Sequence, residues 1–296
     1  MVTPAKVQEV EALVDESAIV VHEPKHYPWP DNLPLSKAVY GEPAHSATLF
    51  RQLINIARRS RNEYEWIVFY NTNEASNLNA ISAYPSVIEQ MERLFKDELG
   101  TPYTEPQEYL IRAANTVVIA VHKQSKSIAA YCCNRFLPQN ESPGIPIPIS
   151  FGCHEIIAEE FQGARLGSLL GALICSYGHA LHKVFSEFAV ATRTNNKYIY
   201  GTFRAFGDVK RSDRLSGDEP RDLVARNVVT YMQTEVFGID EAVPFDKPIP
   251  IQHEFEEAVT IEGVGSREII YAVSFSSLAR ATLRLLLGPL KRRKKR

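Results

Sequence analysis

The chain has 296 residues, 45% hydrophobic and 23% charged, with 33 Lys and Arg against 35 Asp and Glu. That much apolar surface offsets the entropy of ordering, which excludes a disordered chain, and the length suits one large domain or two smaller ones. No apolar run reaches the roughly 18–20 residues of a membrane span, and the first twenty residues are acidic without an apolar core, so no secretory signal is expected.

Four cysteines without a C-x-x-C pair give neither a disulfide framework nor a zinc site, and no metal is expected; a reducing, cytoplasmic setting follows. The last six residues, Lys291–Arg296, are all basic; without them 27 basic residues face 35 acidic ones, a body at -8. An acidic body lacks the basic face of a nucleic-acid-binding domain, and no DNA partner is expected. The basic tail, after the apolar LRLLLGPL, is either a solvated terminus or a weak contact for a membrane surface.

In chain order, residues 1–45 read as a short helix and a proline-rich extended arm. Residues 46–60 carry apolar side chains at helical spacing, as do residues 85–99, with Val87, Ile88, Met91, Leu94 and Phe95 on one stripe. Pro85 suits the first turn of that second helix and Gly100 its stop. TVVIAVH and SIAAYCCNRFL, joined by a polar turn, predict a hairpin over 115–137, and ISFGCHEIIA a further strand. The long helix 162–183 follows, with Leu166, Leu169, Leu170, Leu173, Ile174, Tyr177 and Leu181 on one stripe. FSEFAVAT reads as a strand and NKYIYGTFRAFG as a short helix closed by Gly207. Residues 208–222 read as a charged loop, RDLVARNVVTYMQTEVFG as a helix, EAVPFDKPIPIQ as irregular and SREIIYAVSF as a late strand. Strand, helix and strand in succession call for a parallel pair with a right-handed crossover, hence a mixed α/β or α+β sheet.

The junction IIAEEFQGARLGSLL carries the chemistry. An apolar strand runs straight into a helix through Gln162, Gly163, Ala164, Arg165, Leu166, Gly167 and Ser168. A helix N-terminus offers unpaired N–H groups and positive potential, and small residues let a phosphate approach. On this feature alone, a pyrophosphate site and a plain packing turn both remain open.

The wider pattern resembles the GNAT superfamily of acyl-CoA-dependent N-acyltransferases. That family opens the helix after its central strand with Gln/Arg-x-x-Gly-x-Gly/Ala; Gln162 and Gly167 match, while Arg165 stands at the usual glycine. A second motif, an Asn opening a short helix that ends at glycine, matches Asn196 and Gly207, with Phe203 at the family's usual tyrosine. The resemblance covers about residues 115–209.

It implies a GNAT-like mixed sheet with a central splayed parallel strand pair flanked by helices, plus an N-terminal helical extension. Residues 1–100 would form a substrate-selecting or lid region, 101–280 the acyltransferase domain and 281–296 the tail. Acetyl-CoA or another acyl-CoA would lie along Ile156, Ile157 and Ala158, with its pyrophosphate on Gln162–Ser168 and further contacts from Asn196 and Phe203. An amine, small molecule or protein, would accept the acyl group by direct attack. Glu155 and His154 are the candidate bases, on opposite faces of one strand, and Tyr200 is the candidate acid because Phe203 has no ionisable group. Arg165 is expected within the helix already, where its bulk is tolerated. The other reading is a non-catalytic module that binds CoA or a partner. No P-loop, G-x-S-x-G elbow, H-E-x-x-H or G-x-G-x-x-G motif is present.

Overall fold

The computed structural model describes residues 25–36, 39–40, 54–59, 61–70, 80–100, 114–137, 139, 144–182, 187–236, 244–251, 254 and 257–277. Residues 54–59 are helical, and the rest of the helix expected over 46–60 lies outside the described residues, as do the apolar C-terminal segment and basic tail. No helix among the described residues is long and apolar enough to cross a membrane.

The strands are β1 (Val39–Tyr40), β2 (Tyr64–Tyr70), β3 (Thr116–His122), β4 (Ser127–Leu137), β5 (Ile149–Ile157), β6 (Phe188–Thr194), β7 (Asp208–Arg211), β8 (Ile249–Pro250) and β9 (Glu268–Ser276). The helices are α1 (Pro85–Leu99), α2 (Leu166–His182), α3 (Lys197–Phe206) and α4 (Pro220–Tyr231). Among the described residues the strands form one sheet in the order β1-β2-β3-β4-β5-β6-β9-β7, with β8 on β9. At its centre β5 and β6 run parallel between antiparallel neighbours. This is a mixed α/β sheet with a central parallel pair flanked by helices, the architecture the motifs implied.

Strand alternation divides the core into two layers. On one face Trp66, Val118, Ala120, Ala130, Cys132 and Val190 pack against Leu166, Leu170 and Leu173 of α2. On the other, Ile67, Val117, Ile119, Tyr131 and Cys133 meet Val87, Ile88, Met91, Leu94 and Phe95, the stripe expected on α1. Further along that second face α4 covers Ile149, Phe151, Ala189, Ala191 and Tyr271. The helix α1 ends at Gly100, whose φ of 63° is the left-handed C-cap that glycine favours.

Two elements correct the sequence reading. Tyr64–Tyr70, within the region expected as arm and helices, is a strand pairing along its length with β3; its run YEWIVFY is β-rich but short. Residues 208–222 are irregular only over 215–219: β7 pairs with β9, a 3-10 turn follows at Ser212–Arg214, and α4 begins at Pro220. The charges of that stretch are used in ion pairs, including Lys210–Asp222 at 2.9 Å and Arg211–Asp213 at 2.7 Å.

Gly207 joins α3 to β7 where the chain presses against β9. A Cβ there would overlap the Phe275 carbonyl group, and backbone cannot swing aside as a side chain can. Gly207→Ala is expected to cost about 2–3 kcal/mol, as overpacking does, lowering the thermal midpoint by several degrees. An unchanged melting curve would disprove this close approach.

Candidate functional site

The parallel ladder between β5 and β6 is short. It pairs Ile149 with Ala189, Ser150 with Val190 and Phe151 with Ala191, then stops, although β5 continues to Ile157 and β6 to Thr194. The register between β4 and β5 shifts at this level: Asn134 pairs with Gly152 but Cys133 with His154, leaving Cys153 extra. Such a bulge bends and twists its strand. The two parallel strands therefore splay beyond Phe151, and the edge of β5 from the bulge to Ile157 has no ladder with β6.

The bulge also resets alternation. Ile149 and Phe151 share the α1/α4 face with His154 and Ile156, while Glu155 pairs with Cys132 and faces α2. The expectation that the two candidate bases point to opposite faces holds. Both are half-buried. The His154 ring lies 5.0 Å from that of Phe95 on α1, and burial, then the charge of Arg193, lowers its pKa to about 4. The Glu155 carboxyl rests against the first turn of α2, where a Cβ on Gly167 would overlap Oε1. Burial alone raises its pKa to about 7.

The strand-to-helix turn is tighter than the sequence suggests. After a single turn of 3-10 helix (Glu159–Phe161), Gly163 has φ 77°, Arg165 has φ 62°, and α2 starts only at Leu166. Arg165 is thus not helical, as expected from sequence, but left-handed, the conformation that explains the glycine at this place in the resembling family. Neighbours hold the turn: Arg61 Nε donates to the Ala164 carbonyl at 3.0 Å, and Glu98 Oε1 accepts from the Glu159 N–H at 3.0 Å. The Phe161 ring meets Tyr64 edge-on at 6.0 Å. Gln162 is exposed, its amide 3.5 Å from Glu98 Oε2. Leu166 and Gly167 are buried and Ser168 half-buried, while Arg165 is exposed. A Cβ on Gly163 would meet nothing within 4 Å, so the outer side of the turn is open.

Asn196 caps α3, its Oδ1 accepting from the Tyr198 N–H at 2.8 Å and the Ile199 N–H at 3.4 Å. Phe203 is buried in the α2-face core with Leu166, Leu170 and Phe188. Tyr200 packs on Ile261, Val264 and Ile270. Ile157 is half-buried facing α2, and Ile156 and Ala158 lie in the α1-face core.

Sequence reasoning missed three residues on the α1/α4 face. Arg193 lies on β6 two residues beyond the last parallel pair, opposite Tyr271 of β9. Its guanidinium hydrogen-bonds the Tyr271 side chain, which also bonds Gln233. Gln233 is fully buried and sits in a π-helical turn, Met232–Val236, that extends α4. The available signal was Arg193 itself, the single charge in the strand FAVATRT.

No family model and no curated protein matches the chain. Several solved structures resemble the chain in part. One is the GCN5-related glucosamine N-acetyltransferase region of a fungal multi-domain β-N-acetylglucosaminidase, at 13% identity and TM-score 0.28, covering 42% of this chain and 13% of that one. Another is Arabidopsis thaliana Naa50 bound to a bisubstrate analogue, at 11% identity and TM-score 0.34, covering 70% of this chain and 97% of that one. A third is an IAA acetyltransferase from Bacillus cereus, at 13% identity and TM-score 0.30, covering 61% and 91%.

Two outcomes follow from the geometry. A side chain in the left-handed region costs about 1–2 kcal/mol, partly offset by the greater unfolded freedom of glycine. Arg165→Gly is therefore expected to raise the thermal midpoint by about 2 °C, and a lower midpoint would contradict the turn geometry. Glu155 titrates at about 7 when folded against 4.5 ordinarily, so the folded chain holds the extra proton between those values. Its contribution to stability is full below pH 4.5 and falls as pH rises through 7, by up to about 3 kcal/mol. The midpoint of Glu155→Gln minus that of the parent should climb from pH 5 to pH 8; a flat difference would refute the raised pKa of Glu155. His154, held below its usual 6.5, loses stability as pH falls towards 4, but that slope cancels in the difference.

Proposed function

We propose that the chain is an acyl-CoA-dependent N-acyltransferase that moves an acetyl or longer acyl group to an amine by direct attack within a ternary complex. One observation carries this: a parallel strand pair splays at a bulge, and the strand that bends away runs into a tight turn at a helix N-terminus. A splay leaves unpaired strand edge for the amides of a pantetheine arm, which bind by strand addition. The helix N-terminus suits a pyrophosphate, and the open side of Gly163 with Arg165 beside it fits an anion.

In this reading, donor pyrophosphate rests on the N–H groups of Gln162–Ser168, and the arm runs along His154–Ala158 towards the bulge. Asn196 contributes by fixing the start of α3, and Phe203 as an apolar wall beneath the donor. The thioester carbonyl ends where a backbone N–H at the splay stabilises its developing charge. The amine reaches it from the α1/α4 face, the side away from the turn. Its nitrogen bonds to the carbonyl carbon, the C–S bond breaks, and the ammonium proton passes to His154 on that face. Glu155, on the α2 face, is the alternative proton acceptor; its pKa near 7 suits a base, but its place under the first turn of α2 sets it on the donor's side. Tyr200 returns a proton to the thiolate. The second reading, a binding module without turnover, draws on Phe203, which puts a core side chain at the family's tyrosine.

Thermal unfolding with acetyl-CoA, longer acyl-CoAs and free CoA tests donor binding; at about 100 times the dissociation constant the gain is roughly 2.7 kcal/mol. Thiol release with a panel of amines then tests transfer, and loss of the acting base is expected to lower kcat about 10²–10⁴-fold. Stabilisation without thiol release would favour the binding module, and no stabilisation by any of these ligands would overturn the proposal. Turnover surviving His154→Ala, Glu155→Gln and Tyr200→Phe together would remove those three roles.

A further inference from the structure

The splay has two lips, β5 and β6, and on the α2 face a row of polar side chains crosses the sheet where it begins. Thr116 of β3 pairs with Asn134 of β4, and Asn134 pairs with Gly152 of β5, the first residue past the parallel ladder. Thr116 and Asn134 stand two residues along from the Val118–Cys132 pair and share its face; Ser150 shares the face of Val190. Thr192 continues the row on the β6 lip, one residue past the last parallel pair, with its Oγ1 3.5 Å from the Gly152 carbonyl oxygen.

Thr116, Asn134 and Ser150 are fully buried and Thr192 is buried. Beside Val118, Cys132, Phe136 and Val190 such a row is costly unless each polar atom has a partner. Ser150 Oγ donates to Asn134 Oδ1 at 3.0 Å. That satisfies the amide oxygen but not the amide nitrogen: Asn134 Nδ2 and Thr116 Oγ1 are both buried without a hydrogen-bond partner. There is room beside them. A Cβ built on Gly152 would meet its nearest neighbours, the Ala191 carbonyl oxygen and Thr192 Oγ1, at 3.7 Å, so the α2 side of Gly152 accommodates at least a methyl group. Buried, unpartnered groups next to an opening fit an oxygen that a ligand brings. Neighbouring strands lie about 4.8 Å apart, which puts Asn134 in reach of an oxygen a few bonds beyond a thioester at the splay, with Thr116 one strand further. The flanking side chains are apolar and offer a carboxylate no opposite charge, so the fitting group is a neutral hydroxyl or keto oxygen.

We propose that Asn134 and Thr116 form the end of an acyl pocket on the α2 side of the splay, and that the donor is a short acyl-CoA with a hydroxyl or keto oxygen on its third or fourth carbon. The proposal rests on the N-acyltransferase reading and names the donor class for that same cleft. Asn134 Nδ2 donates to the acyl oxygen, and the Thr116 hydroxyl donates to a keto oxygen or accepts from a hydroxyl. The amine still arrives from the opposite face, so the pocket selects the donor without obstructing the acceptor.

The test is calorimetric titration of the full chain with butyryl-CoA, 3-hydroxybutyryl-CoA, 4-hydroxybutyryl-CoA, acetoacetyl-CoA and succinyl-CoA, a readout that needs no turnover. At least one of the three neutral oxygenated thioesters is expected to bind about 10-fold tighter than butyryl-CoA, the gain of one or two buried hydrogen bonds. Asn134→Leu should bring that ratio close to one, and Thr116→Val, which deletes only the hydroxyl function, should remove part of it. Equal affinities in the parent would overturn the proposal and assign the row to ordered water. An unaltered ratio in both variants, or tightest binding by succinyl-CoA, would overturn it as well. Oxygen-dependent binding lost in the variants would support the pocket even if thiol release failed with every amine and the transferase reading with it. Transfer from acetyl-CoA or butyryl-CoA with no preference for the oxygen would refute the pocket while leaving that reading intact. No binding of any thioester would overturn both. Each variant is first checked for a parent-like melting curve, and Thr116→Val carries the test should Asn134→Leu not fold.

Discussion

The arrangement of the site depends on one extra residue in β5. Without Cys153 as a bulge, β5 would keep its alternation, and Glu155 would share the face of Phe151, under α4. His154 would then point at α2. The bulge exchanges them, placing the imidazole beside Arg193 and the carboxyl beneath the first turn of α2. The same bend ends the ladder with β6 after three pairs. A backbone irregularity thus sets two things together: the gap between the strands and the side chains that line its two sides.

Electrostatics then separates the two groups. Burial acts on both against the charged form, so the same desolvation drives the carboxyl up to about 7 and the imidazole down to about 4. Near neutral pH the histidine is uncharged and the glutamate is divided between its forms. The positive end of α2 favours the carboxylate, whereas an anion seated on the turn would favour its protonated form. Two proton-accepting groups adjacent in sequence are therefore answerable to different neighbours, one to the helix and turn, the other to the β6 lip.

Much of the sheet was legible because burial leaves a period in sequence. The five-residue stripe of α1, the β3–β4 hairpin and the Leu-rich face of α2 all show it, and each is where periodicity placed it. The strand Tyr64–Tyr70 escaped because its YEWIVFY run is nearly continuous, which short strands share with buried helix. Residues 208–222 escaped because their charges pair mostly with one another once the stretch is folded, and charge alone reads as loop. At the candidate site, the turn and the two titratable residues of β5, His154 and Glu155, were visible from local sequence. Arg193, Tyr271 and Gln233 were not, since their grouping is made by β6–β9 register and by a helix irregularity that no local pattern announces.

Arg165 shows how far a turn can depart from its usual residue without losing its shape. A side chain opposes the left-handed conformation, so something else must impose it. Three contacts do so from outside the turn: Arg61 on the Ala164 carbonyl, Glu98 on the Glu159 N–H, and Phe161 wedged against Tyr64. All three reach back to elements that precede the hairpin. The β2 strand and α1 are therefore part of the machinery that shapes the turn, and not only an addition to the sheet. With the backbone held in that way, the arginine side chain is left exposed at the helix N-terminus instead of filling it. Its charge then adds to the positive end of α2, so replacing glycine here trades backbone ease for anion attraction at the same spot.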